Sequence, residues 1–234
     1  MMSEKDKDYF KIAQTLSDVW DVLTDEERQL VVCHAHIKKV QKNDVIFQEG
    51  ETPSCLYCLY KGKVKIYKEG VGGRQQIVRM VKPKEFFGYQ ASFVGENYVT
   101  EAAAFEESSV LCIPLDVAKK IISWNQAVTI YFVRQLAFHL GKADEHTVNL
   151  TQKHIRGRLA EALFRLKNSF GTADDGQTLA ITASREDLAN LSNMTTSNAI
   201  RTLSAFAQEG LVKINGRRIT ILDEQQLKTI ATNG

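Results

Sequence analysis

A single change of hydrophobic period, at Pro114, constrains this chain more than any other feature. From Ile37 to Pro114 the sequence runs in short β-rich stretches punctuated by Gly50, Gly62, Gly70, Gly72, Gly73, Gly88 and Gly95, and beyond Pro114 the apolar residues recur at helical spacing. Lys63-Val64-Lys65-Ile66-Tyr67 alternates with period two, and Val71-Gly72-Gly73-Arg74 supplies a hairpin connection to Gln76-Ile77-Val78-Arg79-Met80-Val81. Short strands separated by glycine turns predict a small barrel or β-roll. Ahead of it, residues 8–32 read as short amphipathic helices, the second opened by the capping box Thr24-x-x-Glu27.

The helical part begins with a long element. From Asn125 to Thr151 there is no proline and one glycine, and Val133, Leu136, Leu140, Ala143, Thr147 and Leu150 follow alternating steps of three and four. So narrow a stripe suits pairing with a second helix, most simply its own copy, which predicts a homodimer. The alternative is that the stripe packs back on the β domain. Tyr131, Phe132 and Phe138 lie off it and are expected to cover the β domain. Near Gln152-Lys153-His154 the long helix must end or bend, and residues 155–170 form a further amphipathic helix ended by Gly171.

Length and charge sharpen this division. The 234 residues fit one large domain or two modest ones, and a composition 44% hydrophobic and 25% charged excludes collagen-like and disordered classes. No run of about 18 apolar residues occurs. The charged start Met1-Met2-Ser3-Glu4-Lys5-Asp6-Lys7-Asp8 lacks the apolar stretch of a signal peptide, so a cytoplasmic location without a membrane partner is expected. The net charge of +2 is uneven: residues 1–151 carry 19 Lys/Arg against 20 Asp/Glu, and residues 152–234 carry 11 against 8. Cys33, Cys55, Cys58 and Cys112 read as structural thiols, because residues three apart in a strand point to opposite faces and no metal-ligand spacing surrounds Cys55-x-x-Cys58.

The last third carries the chemistry. Ser184-Arg185-Glu186-Asp187 opens a short helix with Leu188 and Leu191 on its buried side; Ser192-Asn193-Met194 stops it, and Thr195 caps a second helix that runs to Glu209 before Gly210. Helix, short turn and helix form the signature of DNA binding. On the second helix Ala199, Leu203 and Phe206 face inward, while Thr196, Ser197, Ile200 and Arg201 share an outer face. Arg can donate two bonds to guanine, Ser and Thr can bond several base edges, and Ile200 can meet a thymine methyl. Beyond Gly210, Asn215-Gly216 between two alternating apolar runs predicts a hairpin whose tip bears Lys213, Arg217 and Arg218, a basic wing suited to phosphates.

These parts, in this order, resemble the CRP/FNR family of bacterial transcription regulators. The matching stretches are Asp44-Val45-Ile46-Phe47-Gln48-Glu49-Gly50, Leu59-Tyr60-Lys61-Gly62-Lys63-Val64-Lys65-Ile66, Glu85-Phe86-Phe87-Gly88 and Ser184-Arg185-Glu186-Asp187-Leu188-Ala189. The resemblance implies an α+β chain. A cyclic-nucleotide-binding-like β-roll, or double-stranded β-helix, would occupy residues 1–124, a dimerisation helix 125–152 and a winged helix-turn-helix 153–234. It further implies a homodimer on double-stranded DNA with a palindromic operator, an effector in the β-roll, and contact with RNA polymerase if the protein activates. On the family pattern Thr196, Ser197 and Arg201 occupy base-reading positions, and Arg185, Thr195 and Asn198 are phosphate contacts.

The family's effector pocket would fall on Gly88, Tyr89, Gln90, Ala91, Val99, Thr100, Ala143 and Asp144. Cyclic-nucleotide binders place a Glu one residue after the glycine and an Arg about eleven after it, where this chain has Tyr89 and Val99. A phosphate without its Arg is poorly compensated, and Asp144 adds a negative charge, so tight cyclic AMP binding is not expected. An iron-sulfur cluster would need several cysteines ahead of the roll, where only Cys33 stands. Haem remains open as an alternative redox or nitrosative sensor, with His34, His36, His139, His146 and His154 as candidate axial ligands. A regulatory module that does not bind DNA would not need the basic wing, and an enzyme would need a catalytic motif that this sequence lacks: it has no P-loop, G-x-G-x-x-G or nucleophile elbow.

Overall fold

The computed structural model describes residues 4–234, so the opening Met1–Ser3 of the charged start lies outside the described residues. Helices α1 (Glu4–Thr15), α2 (Ser17–Trp20) and α3 (Asp25–His34) precede strands β1 (His36–Val40), β2 (Val45–Phe47), β3 (Cys55–Lys61), β4 (Val64–Glu69), β5 (Gln75–Val81) and β6 (Phe86–Phe87). Then come α4 (Tyr89–Val94), β7 (Glu101–Ala104), β8 (Ser108–Pro114), α5 (Leu115–Trp124) and α6 (Gln126–Gln152). The chain closes with α7 (Ile155–Phe170), α8 (Arg185–Ser192), α9 (Thr196–Gln208), β9 (Val212–Asn215), β10 (Arg218–Ile221) and α10 (Glu224–Asn233). Contacts divide it into two compact units: Met1–Lys68 with Arg79–Leu140, and Glu69–Val78 with Gly141–Gly234. The division falls inside α6, not at its two ends.

Strands β1 to β8 make two antiparallel sheets, ordered β1-β8-β3-β6 and β2-β7-β4-β5, whose inner residues build the core of the first unit. Strand alternation sorts its core into two layers. Tyr57, Leu59, Phe87, Val110 and Cys112 face inward to meet Phe47, Val64, Ile66, Ala102 and Ala104 from the other sheet. Their neighbours Leu56, Cys58, Phe86, Leu111 and Ile113 point outward onto the helices, against Leu16, Val31, Val117, Ile121 and Phe132. Cys55 and Cys58 therefore serve opposite faces of β3, as their spacing requires. Gly62 is demanded by close approach: a Cβ there would lie 2.6 Å from the Glu107 carbonyl oxygen, with the backbone at φ +95°.

Asn125 fixes where α6 begins. Its side-chain oxygen accepts from the backbone N–H groups of Ala127 and Val128 at 3.1 and 3.2 Å, while its amide nitrogen donates to Val22 O and to Glu27 Oε2. Glu27 is also the far half of the capping box with Thr24. Further along α6, Phe132 is buried and Tyr131 packs against Phe86, their ring centroids 5.9 Å apart. Phe138 departs from expectation. It is 59% exposed, so it does not cover the β domain.

In the second unit α7 buries Leu159, Leu163 and Leu166 against α8, α9 and α10. Helix α10, which the sequence reading did not single out, is capped by Asp223 and buries Leu227. Its end packs so closely on α7 that a Cβ on Gly157 would come within 2.7 Å of the Gly234 backbone.

Candidate nucleic-acid interface

Two reciprocal caps hold the helix-turn-helix. Ser184 Oγ accepts from Asp187 N at 3.0 Å, and Asp187 Oδ2 accepts from Ser184 N at 3.0 Å. Helix α8 then ends on Asn193, whose left-handed backbone (φ 49°, ψ 57°) turns the chain, and Met194 is buried beneath the turn. Thr195 Oγ1 accepts from Asn198 N at 3.3 Å to open α9. Ala199, Thr202, Leu203 and Phe206 anchor α9 inward. The Arg156 guanidinium stacks over Phe206, 5.0 Å from its centroid, and bonds both carboxylate oxygens of Glu209 at 2.8 and 2.6 Å.

That anchoring leaves Thr196, Ser197, Ile200 and Arg201 together on the exposed face of the first two turns of α9. Asn198 is half-buried, and its side-chain oxygen accepts from Arg201 Nη2 at 2.6 Å. The wing pairs Asn215 with Arg218 and Ile214 with Ile219, so the two-residue loop is Gly216-Arg217. This sits one residue beyond the Asn-Gly pair that the sequence suggests. The positive φ falls on Gly216 at the first loop position, while Asn215 stays in the strand. Lys213, Arg217 and Arg218 are exposed. Arg185 Nη2 donates to Gly216 O at 3.0 Å, tying the start of α8 to the wing tip.

The residues assigned to an effector pocket are distributed less coherently. Gly88 adopts φ +76° against the roll interior, where a Cβ would lie 2.9 Å from Tyr57 Cδ2 and 3.2 Å from Phe47 Cε1. That interior is filled by rings: Phe47 and Tyr98 stack with centroids 3.9 Å apart, and Tyr57 stacks on Phe87 at 5.4 Å. Burial pushes the Tyr57 hydroxyl up to about 12 and that of Tyr98 well above its usual range. Ala91 joins this inner core and Gln90 is exposed. Tyr89 does not line it. Its ring turns to the outer layer, 5.3 Å from Phe132 and 5.5 Å from Phe93, because the left-handed turn at Gly88 starts α4 toward the helices. Val99 is 61% exposed and Thr100 half-buried; Lys68, which donates to the Val99 carbonyl at 2.8 Å, is ion-paired with Glu49 at 2.6 Å. Ala143 and Asp144 are exposed on α6 in the second unit.

Along the anticipated seam Val133 and Leu140 are 54% and 65% exposed, and Ala143 and Thr147 are exposed as well. Leu136 and Leu150 are partly committed to their own chain, Leu136 against the outer core. Ile130 and Val148, which the seam omitted, are exposed beside it, and Phe138 is exposed on the opposite side of the helix. No group of three or more His, Cys, Asp or Glu among the described residues is arranged to hold a metal ion, and no described helix is long and apolar enough to cross a membrane.

A β-roll and a winged helix-turn-helix in one chain define a class of DNA-binding proteins, and comparison with known proteins narrows it. The cyclic nucleotide-binding domain model matches residues 37–125 and the Crp-like helix-turn-helix domain model residues 157–230. A CRP-like cAMP-activated global transcriptional regulator of Mycobacterium tuberculosis is 26% identical over 188 residues, covering 80% of this chain and 84% of the relative. An anaerobic regulatory protein of Bacillus subtilis is 25% identical, covering 83% of each. The fold is similar to that of FixK2 from Bradyrhizobium japonicum, with a TM-score of 0.75 at 24% identity, covering 84% of this chain and 96% of FixK2. The chain belongs to the CRP/FNR family and is a DNA-binding transcriptional regulator.

Proposed function

We propose that this regulator acts as a homodimer on a two-fold-symmetric operator and answers to an effector other than cyclic AMP. The observation that carries the DNA reading is the exposed face of α9. Thr196, Ser197, Ile200 and Arg201 stand clear of the core at the helix start, the part that enters the major groove in helix-turn-helix proteins. Thr196, Ser197 and Arg201 read base edges and Ile200 meets a thymine methyl. Thr195 flanks them near the DNA backbone, Asn198 holds the Arg201 guanidinium, and Lys213, Arg217 and Arg218 reach phosphates from the wing. Arg185 acts in part through the wing, by its bond to Gly216 O. Residues 1–124 serve as sensor, 125–152 as dimerisation helix and 153–234 as reader.

The dimer reading rests on α6, whose exposed Ile130, Val133, Leu140 and Val148 form an apolar stripe along the helix. The effector reading rests on the ring-filled roll. The Mycobacterium tuberculosis relative is cAMP-activated, but here the space beside Gly88 is taken by Tyr57 and Phe47, and Val99 offers no charge to a phosphate. These residues do not fit a cyclic nucleotide.

Selection from a random duplex pool followed by salt-titrated gel shifts tests the whole reading. A palindromic motif, a dimer-sized footprint and steep weakening with salt are expected. Binding without sequence preference at low salt overturns the base-reading assignment. Micromolar cyclic AMP affinity by calorimetry overturns the effector assignment.

A further inference from the structure

In the second unit, the last two turns of α6, with Lys153 just beyond them, meet α7 through largely polar faces. His146, Asn149, Leu150 and Lys153 lie opposite Arg158, Glu161, Ala162 and Arg165. Between them, closed on one side by Leu191 and Ser192 from the end of α8, is a pocket of about 10 Å³, room for one particle of water size.

Its hydrogen bonding can be followed atom by atom. Arg165 Nη1 lies 3.0 Å from His146 Nδ1, and Arg165 Nη2 donates to Leu191 O at 3.2 Å. A guanidinium only donates, so His146 Nδ1 must accept, and the proton of the neutral ring sits on Nε2. His146 Nε2 and Arg158 Nε are both buried, with no hydrogen-bond partner among the described residues. Both are therefore N–H donors, and both residues line the same pocket. Each calls for an acceptor, and the pocket that both residues line is where one acceptor can stand.

Charge selects the acceptor. Among the described residues that line the pocket, the cations Arg158 and Arg165 stand against the single carboxylate of Glu161. Its two oxygens already accept from Asn149 Nδ2 at 2.8 Å and Lys153 Nζ at 3.0 Å. Burial and the neighbouring Arg165 hold His146 down to about 4, so the locality resists another proton. A water would satisfy two donors and leave the positive excess untouched, while a negative ion answers both needs. At water size the space takes a single-atom anion when its lining side chains give slightly, and it excludes phosphate, sulfate and carboxylate metabolites.

We propose that this pocket binds a monovalent halide-sized anion, held by Arg158 Nε and His146 Nε2. Through Arg165 and its bond to the Leu191 carbonyl, the bound ion braces the end of α8 and with it the helix-turn-helix.

Crystals of the full-length protein grown in sodium bromide, with data collected at the bromine edge, test the site directly. An anomalous peak within hydrogen-bond reach of both nitrogens is expected; water-like density without anomalous signal at that position overturns the proposal. In solution, unfolding of the full chain is followed as bromide replaces gluconate at fixed ionic strength. A rise in Tm on the order of 5 °C is expected at ten times the dissociation constant. Arg158→Met abolishes this dependence, whereas His146→Gln, which can still accept from Arg165 and donate into the pocket, retains most of it. Bromide dependence equal in Arg158→Met and the parent chain overturns the assignment even if the variant is less stable.

Discussion

Arg201 Nη2 donates to Asn198 Oδ1 at 2.6 Å, one turn earlier on α9. The bond holds the guanidinium beside the helix start before any base is met, so the two side chains form one reading unit. Arg201→Ala is expected to weaken operator binding by about 1–3 kcal/mol and to flatten preference at one base position of each half-site. Asn198→Ala is expected to produce a smaller loss at that same position. Competition gel shifts with single-base operator variants check both; a loss in Asn198→Ala spread equally over all sequences would instead make it a phosphate contact.

The wing contributes differently. Arg217 and Arg218 are exposed at the hairpin tip. Arg217→Ala and Arg218→Ala should each weaken specific and non-specific DNA alike and lower the slope of log affinity against log salt by about one. Affinity measured at four or more salt concentrations reads the slope.

Leu140 is 65% exposed on α6, where a charge costs the isolated chain little. Leu140→Asp should convert the sedimenting species to monomer, lower the Tm only by the concentration-dependent share that association supplies, and reduce operator affinity by at least tenfold through loss of the second half-site. Analytical ultracentrifugation beside gel shifts separates these effects.

Acid should destabilise the fold through two histidines. His139 and His146 are both lowered from 6.5 to about 4 by burial, each with an arginine nearby that opposes protonation, Arg79 and Arg165 respectively. Between those values the unfolded chain binds more protons than the folded one. Stability therefore rises with pH across that window, is fully present above about 6.5, and is lost as pH falls toward 4. Urea midpoints at pH 7.5 and 5 should differ in the parent chain, and the difference should shrink in His139→Gln/His146→Gln.

The parts of the fold legible in the sequence are those whose signals are local. Ser184, Thr195 and Gly210 mark helix ends by hydrogen-bond chemistry that needs no tertiary partner, so the helix-turn-helix could be read residue by residue. Strand β3 is harder: Cys55–Lys61 is buried on both faces, and its alternation of Tyr57 and Leu59 inward against Leu56 and Cys58 outward is invisible as a polarity pattern. Helix α10 had a usable signal in the Asp223 cap with Leu227 and Ala231 one turn apart, but sits beyond the wing. The wing loop moved by one residue because Gly216 supplies the positive φ alone, leaving Asn215 free to pair with Arg218. Phe138 and Tyr89 were misplaced for a common reason. Sequence spacing gives the face of an element, and which neighbour covers that face is decided by the rest of the chain.

The stacked rings of Phe47, Tyr57, Phe87 and Tyr98 set a thermodynamic toll on any ligand seeking the inside of the roll. To enter beside Gly88 it must first displace a ring, and exposing one such side chain costs about 2–3 kcal/mol. The open form is then about one molecule in 30 to 150, and an intrinsic nanomolar affinity is observed at roughly 10⁻⁸ to 10⁻⁷ M. A signal that works at lower concentrations has to engage the protein from outside the roll.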